Sequence, residues 1–403
     1  MNNFLIINQY ASTLKTGIGG RSYYLGRELA RQGHKVYLVA SSFTHLLREQ
    51  PKVSEEFTIE TIEDNFSFLW VRMPEYTGAH HKKRVWNWFS FSFKLTKLHK
   101  VIEQKPDVVV ASSPSPFVFL GAQWLAKKYK AKLAFEVRDI WPLTLIELGE
   151  YSSNNLFIRL MQWVEDKAYR DSDIVISNLN NAAEHMVMRG MSAKKYHWIP
   201  NGFDSTVINS EERLPEKVSS IFPKDKFVVG YTGTVGVANA LDVFIRAAYL
   251  LKDDDSIVFV VVGDGKEKPN LIKSAANLKN IIFIDTVPKN QVQTILSKFN
   301  ICFLSQISSS IYMYGIASIK LPEYFLSARP VIHSTNYDSP VDKINAGIVV
   351  PAENPEAIIE AILKIKAMSQ KERSEMGANG RVYVLKNHDY TKLAKKLAKI
   401  FQL

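Results

Sequence analysis

Lys320 and Glu323 stand three residues apart in the run IASIKLPEYFLSARPVI, which spans Ile316 to Ile332. The run reads as a short helix opening near Lys320, and this spacing puts the two side chains on one side of its first turn. A lysine beside the unpaired amides of a helix N-terminus attracts phosphate oxygens. Glu323 is unsuited to phosphate, but its carboxylate can accept hydrogen bonds from a diol such as a ribose. A nucleoside diphosphate answers both demands. The plainer alternative is a solvated i, i+3 pair worth about 0.2–0.5 kcal/mol.

Other candidates follow apolar runs that read as strands. Gly17, Gly19 and Gly20 lie between the first strand and the first helix, where glycine allows unusual φ/ψ and close approach of backbone to a phosphate or sugar. The pattern is G-x-G-G with no third glycine, and no acid follows the second strand at Val39-Ala40-Ser41-Ser42, which argues against a dinucleotide fingerprint. Arg138 and Asp139 follow the strand Leu133–Val137; the pair could touch a ligand or close a loop as an ion pair. Gly233, Thr234, Gly236 and Asn239 follow Val228–Thr232, and Gly263 follows Ile257–Val262. Two acidic triplets, Asp171-Ser172-Asp173 and Asp253-Asp254-Asp255, precede strands and so fall on the far side of a sheet from its ligands. With only the His80-His81 dipeptide as a further ligand cluster, no metal or other cofactor is expected.

The elements that must position these residues alternate in type. Short β-rich runs at Phe4–Ile7, Val36–Ala40, Val108–Ala111, Leu133–Val137 and Ile174–Ser177 are separated by amphipathic stretches, such as a helix over Arg21–Gln32 stopped by Gly33. A second series follows at Val228–Thr232, Ile257–Val262, Ile281–Ile284, Ile301–Leu304 and Val331–His333. Alternation of this kind predicts parallel sheets with helical crossovers. Ser205, Asn209, Ser210, Glu211, Glu212, Pro215 and Pro223 interrupt the periodicity, so a hinge is expected at 200–226, dividing domains at 1–200 and 201–387. In such sheets ligands bind at the carboxyl ends of strands, and two sheets with those ends facing would form a cleft.

The 403 residues suit two domains of ordinary globular composition, 46% apolar and 23% charged. The single cysteine, Cys302, lies in an apolar run and reads as buried. The absence of a signal-like N-terminus, a spanning segment and a disulfide framework predicts a cytoplasmic protein. A net charge of +11 implies anionic partners. Residues 82–105 hold seven Lys/Arg against one acid, interleaved with Trp86, Trp88, Phe89, Phe91 and Phe93. That mixture predicts peripheral contact with the inner face of the cytoplasmic membrane, the alternative being a core-packed helix with a basic face. No nucleic-acid module accompanies the charge.

Lys320-Leu321-Pro322-Glu323-Tyr324 followed by Ala328-Arg329-Pro330-Val331-Ile332 resembles the nucleotide-sugar signature of the retaining family 4 glycosyltransferases of GT-B fold. Gly17-Ile18-Gly19-Gly20-Arg21, Ile199-Pro200-Asn201-Gly202-Phe203-Asp204 and Val262-Gly263-Asp264-Gly265 resemble the same family in the same order. Phe135-Glu136-Val137-Arg138-Asp139-Ile140-Trp141-Pro142 resembles the surface-polysaccharide branch that includes N-acetyl-L-fucosamine transferases. The resemblance implies two Rossmann-like domains, a C-terminal helix within 388–403 rejoining the first, and transfer from a UDP-sugar to a polyprenyl-diphosphate-linked saccharide. In that scheme Arg138, Asp139 and Lys320 serve catalysis, with Lys320 and the amides near Ile319 and Leu321 on the leaving diphosphate. Glu323 holds the ribose. Gly19, Gly20, Arg21, Gly233, Thr234, Gly236, Asn239 and Gly263 line the substrate. Two departures stand out: Gly315 replaces the first family glutamate, and no cations follow the strand Val228–Thr232. They leave open a non-catalytic nucleotide-sugar-binding subunit. A UDP-N-acetylsugar 2-epimerase of the same fold is the other alternative.

Overall fold

The computed structural model describes residues 2–78, 82–149, 151–208 and 212–401. Two compact units divide the chain: Met1–Asn201 with Tyr390–Leu403, and Gly202–Asp389.

In the first unit the strands are β1 (Asn3–Ile7), β2 (Lys35–Ser41), β3 (Phe57–Glu63), β4 (Phe66–Val71), β5 (Val108–Ser112), β6 (Lys132–Val137), β7 (Ile174–Ser177) and β8 (Tyr196–Trp198). Among the described residues they form one sheet in the order β3-β4-β2-β1-β5-β6-β7-β8, parallel except for the β3–β4 hairpin. The helices are α1 (Arg21–Arg31), α2 (Lys82–Leu95), α3 (Val118–Tyr129), α4 (Leu143–Gly149), α5 (Leu156–Asp171) and α6 (Ala183–Met188). Leu25 and Leu29 of α1 pack with the sheet residues Phe4, Leu38 and Val110 in one core.

The second unit holds α7 (Glu216–Ser219), α8 (Asp242–Leu250), α9 (Lys268–Ser274), α10 (Val292–Leu296), α11 (Lys320–Leu326), α12 (Pro340–Lys343), α13 (Pro355–Ala367) and α14 (Gln370–Asn387). Its strands are β9 (Phe227–Thr232), β10 (Ile257–Val262), β11 (Ile281–Ile284), β12 (Ile301–Ser305), β13 (Val331–Ser334) and β14 (Gly347–Val350), all parallel in the order β11-β10-β9-β12-β13-β14. This is the doubly wound order, whose switch point lies between the first and fourth strands in sequence, here β9 and β12. Apolar side chains cover both faces of the sheet: Phe244 and Phe259 lie on one, Tyr324 and Val260 on the other. Helix α15 (Tyr390–Ile400) packs on the first unit, where Leu393 and Leu397 join its core and Tyr390 stacks on Tyr24.

The expected strands are present, several extended by a residue. Four strands go beyond the sequence reading. β3 mixes apolar residues with threonines and glutamates and stays half exposed at the sheet edge, while β8 and β14 are three and four residues long. β4 is buried against β2 and lacks any such excuse. Residues 82–105 require a correction. The helix stops at Leu95, a separate 3-10 turn spans Leu98–Lys100, and Trp88 and Phe91 are buried while Phe89 packs on Phe117. Trp86 and Phe93 are exposed, so three of the five aromatics there serve the core and two do not. Cys302 is buried as expected. His80-His81 and the stretch Asn209-Ser210-Glu211 lie outside the described residues.

Candidate active site

The second unit assembles its candidate residues at the switch point. Beyond β9 the chain turns at Gly233, whose N–H donates to the Val262 carbonyl (2.9 Å), and Val235 N donates to the Asp264 carbonyl (2.9 Å). The loops after β9 and β10 thus run against each other. Gly263 has φ +141°, and a Cβ there would stand 2.0 Å from the Gly233 carbonyl oxygen, so this glycine is needed for loop-to-loop contact. Gly236 has an extended φ of −127° and no such constraint. Tyr231 Oη and Asn239 Nδ2 both donate to the Thr234 carbonyl, at 2.6 and 3.0 Å, which folds residues 234–239 into a fixed ring.

Lys320 reaches into that ring from α11. Its Nζ donates to Asn239 Oδ1 at 2.6 Å and lies 5.3 Å from the centre of the Tyr231 ring. A Cβ on Gly233 would sit 2.5 Å from Lys320 Cε, so the glycine makes room for the lysine stem. Burial lowers the ammonium's pKa to about 8. Among the described residues its partners are a neutral amide and an aromatic face, so the charge is desolvated without a counter-anion from them to restore it. A phosphate placed here would supply one.

The opening turn of α11 departs from expectation. Ser318 Oγ accepts from the N–H groups of both Lys320 (3.2 Å) and Leu321 (3.3 Å), so the Leu321 amide is already engaged. Ile319 occupies the cap position with an exposed side chain. The carboxylate of Glu323 forms an ion pair with Lys289, which stands in the 3-10 turn Lys289–Gln291 after β11. Ser318 and Lys289 go beyond the sequence reading. Their signals were a serine two residues before a helix start and a lysine just beyond a strand's carboxyl end. Gly315 ends a 3-10 turn with φ +122°, a conformation that disfavours the glutamate otherwise expected there.

In the first unit Gly19 and Gly20 both adopt left-handed φ, +72° and +82°. A Cβ at Gly20 would meet nothing within 4 Å, so its backbone is open to a ligand. Arg21, read as substrate-binding, is instead buried. Its Nε donates to Glu136 Oε1 (2.8 Å) and its Nη1 to the Pro200 carbonyl (2.5 Å), tying α1 to β6 and to the loop after β8. Burial alone would raise the Glu136 pKa, but Arg21, a 2.6 Å bond from Ser112 Oγ, and Arg138 outweigh it and hold the carboxylate low. Arg138 follows β6 and is half-buried; its N–H donates to Ser113 Oγ (2.9 Å), while its side-chain Nε is buried without a recorded partner. Asp139 is exposed beside it.

Both acidic triplets are used locally. Asp171 pairs with Lys167 (2.5 Å), Asp173 Oδ2 accepts from Leu133 N (2.8 Å), and Asp254 meets Lys366 at 3.4 Å. Among the described residues no group of three or more His, Cys, Asp or Glu is arranged to hold a metal ion.

Residues 16–207 match Glycosyltransferase Family 4, and residues 226–367 match Glycosyl transferases group 1. The chain is 24% identical over 284 residues to the colanic acid biosynthesis glycosyl transferase WcaI of Escherichia coli (strain K12), covering 66% of this chain and 68% of that protein. Among solved structures, sucrose-phosphate synthase from Thermosynechococcus elongatus aligns over 100% of this chain and 98% of its own, with TM-score 0.74 and 14% identity. The E. coli trehalose-6-phosphate structure bound with UDP-2-fluoro glucose aligns over 100% and 99%, with TM-score 0.75 and 11% identity. Anabaena HepE in complex with UDP and glucose aligns over 99% of each chain, with TM-score 0.66 and 12% identity. These likenesses establish the fold.

Proposed function

Since the chain is a glycosyltransferase of the family 4 and group 1 kind, we propose that it moves a sugar from a UDP-sugar to a polyprenyl-diphosphate-linked saccharide during surface-polysaccharide synthesis, with retention of configuration. The observation that carries the reading is Lys320, desolvated at the β9–β12 switch point, where among the described residues its charge meets the Asn239 amide and the Tyr231 ring. A leaving diphosphate is the partner that such a cation lacks. The relative's role in colanic acid synthesis supports the product class, and the nucleotide held by structural neighbours supports the donor class. An N-acetyl-fucosamine-type donor rests on branch resemblance. Epimerisation is set aside because both matched families are named for glycosyl transfer.

In this scheme the bond between the anomeric carbon and the β-phosphate oxygen breaks while the acceptor hydroxyl attacks from the same face, and its proton passes to the departing phosphate. Lys320, fixed by Asn239, neutralises charge as it builds on that phosphate. Glu323 accepts from the ribose hydroxyls once Lys289 gives way. Within the first unit, the backbone at Gly20 is open and the buried Arg138 Nε lacks a hydrogen-bond partner among the described residues, features that suit a sugar hydroxyl or an anionic oxygen. Asp139 beside it orients the arginine or meets the acceptor. No metal enters the scheme, so chelation should leave the rate unchanged. The protein would work in the cytoplasm at the membrane face; no described helix is long and apolar enough to cross a bilayer.

The test is calorimetric titration with UDP and turnover on lipid-linked acceptors for the wild type, Lys320→Ala and Glu323→Ala. Loss of a charged hydrogen bond should cost about 1.5–3 kcal/mol of UDP affinity in each variant. Unchanged affinity in both would refute the clamp. Intact UDP binding without turnover on any acceptor would instead favour a binding subunit.

A further inference from the structure

We infer that α5 is the element that meets the membrane, laying Leu156, Leu160 and Trp163 into the headgroup region of an anionic bilayer. The inference rests on the membrane-face reading above and moves its centre away from 82–105. These three side chains are 79%, 41% and 53% exposed. Spacings of four and three put them on one face of the helix. The opposite face, Ile158, Met161, Val164 and Ala168, is buried, so the outer stripe is surplus to what folds the helix.

Charge selects the occupant. Arg159 is exposed beside the stripe, while the helix's acids are already engaged: Asp166 with Arg189 (2.6 Å), Asp171 with Lys167 (2.5 Å), and Glu165 within the fold. What faces outward is therefore apolar and cationic. Neighbouring helices add to it. Trp86 on α2 is 68% exposed, and Trp124 on α3 is 40% exposed with Lys128 Nζ 5.4 Å from its ring. α2 and α5 are joined by Trp88 stacked on Phe157, so Trp86 and the stripe belong to adjoining helices. Exposed tryptophans among cations suit an interface whose core is apolar and whose surface is anionic. A two-fold pairing of this face with itself would bring Arg159 of both copies into one interface while the acids of α5 are already engaged, which disfavours a second copy of the chain as the occupant.

The test is co-sedimentation of the full chain with phosphatidylcholine vesicles with and without phosphatidylglycerol. The wild type should bind the anionic vesicles, and the triple variant Leu156→Ser, Leu160→Ser, Trp163→Ser should lower the partition coefficient about tenfold or more. All three side chains are exposed, so UDP affinity and thermal unfolding should be unchanged. Arg159→Glu should weaken binding to anionic vesicles, and Trp86→Ser with Phe93→Ser should cost less than the triple variant. Full vesicle binding by the triple variant overturns this inference and leaves the membrane-face reading standing. A wild type that binds neither vesicle sinks both. A wild-type dimer that the triple variant converts to monomer would reassign the stripe to self-association.

Discussion

Lys320 Nζ rests 2.6 Å from Asn239 Oδ1, so the cation assigned to a diphosphate is held in advance by a neutral amide. Asn239 also donates to the Thr234 carbonyl, which links the lysine to the loop after β9. The position expected to hold cations in this family holds an amide that positions a cation from α11.

Lys320 gives UDP binding a characteristic pH dependence. Its pKa is about 8, against an ordinary 10.5. UDP should bind the charged form, so affinity is retained below about pH 8 and weakens as pH rises through it. Lys320→Ala should flatten the profile measured by calorimetry. Stability moves the opposite way: between about 8 and 10.5 the unfolded chain holds more protons, so this residue's contribution to stability rises with pH. A UDP profile identical in wild type and variant would remove the lysine from the site.

Glu323 and Lys289 make a prediction about the ribose. If the carboxylate accepts from the diol, wild type should bind UDP about tenfold or more tightly than 2′-deoxy-UDP, and Glu323→Gln should lose most of that preference. The ion pair with Lys289 competes with the ribose for Glu323. Lys289→Ala should therefore tighten UDP binding a few-fold. Weaker binding would mean that the lysine itself touches the nucleotide.

The fold was legible because buried parallel strands carry unbroken apolar runs, such as Ile257–Val262, that need no context to read. β3 was not, since its glutamates mark an edge whose pairing is decided by β4. The site was legible in residue type and less so in role. Lys320 and Asn239 were both candidates, yet nothing in their spacing of 81 residues showed that they touch. Arg21 misled because an arginine after a glycine turn looks ligand-facing, and only its long-range pairing with Glu136 and Pro200 shows it to be structural. Residues 82–105 misled similarly, because aromatic content does not distinguish a face packed on Phe117 from one in water.

Arg21 and Glu136 should matter to stability more than to nucleotide affinity. Both are buried, and removing one partner of a buried pair typically costs about 3–5 kcal/mol. Arg21→Met should destabilise the first unit by that order and leave UDP affinity unchanged. All seven tryptophans fall between Trp70 and Trp198, so their fluorescence during denaturation reports that unit alone. Because the Glu136 pKa is held below its ordinary 4.5, its contribution is present above that value and lost as pH falls through the folded pKa. Glu136→Gln should lack this acid-dependent loss.

Glu165 should act in the reverse sense. It lies on the buried side of α5, where burial raises its pKa to about 8; Tyr169, Gln162 and Arg189 pull downward without offsetting that effect. The folded protein then holds a proton that the unfolded chain releases near the ordinary 4.5, so stability should fall as pH rises from about 4.5 to 8. In Glu165→Gln the amide stays neutral throughout, and the tryptophan-monitored unfolding temperature should lose this part of its decline. The Leu156, Leu160 and Trp163 face of the same helix should keep its affinity for anionic vesicles in this variant, because Glu165 does not reach that surface. Unfolding-temperature profiles that coincide in wild type and Glu165→Gln across this range would show that Glu165 ionises within the fold at its ordinary pKa.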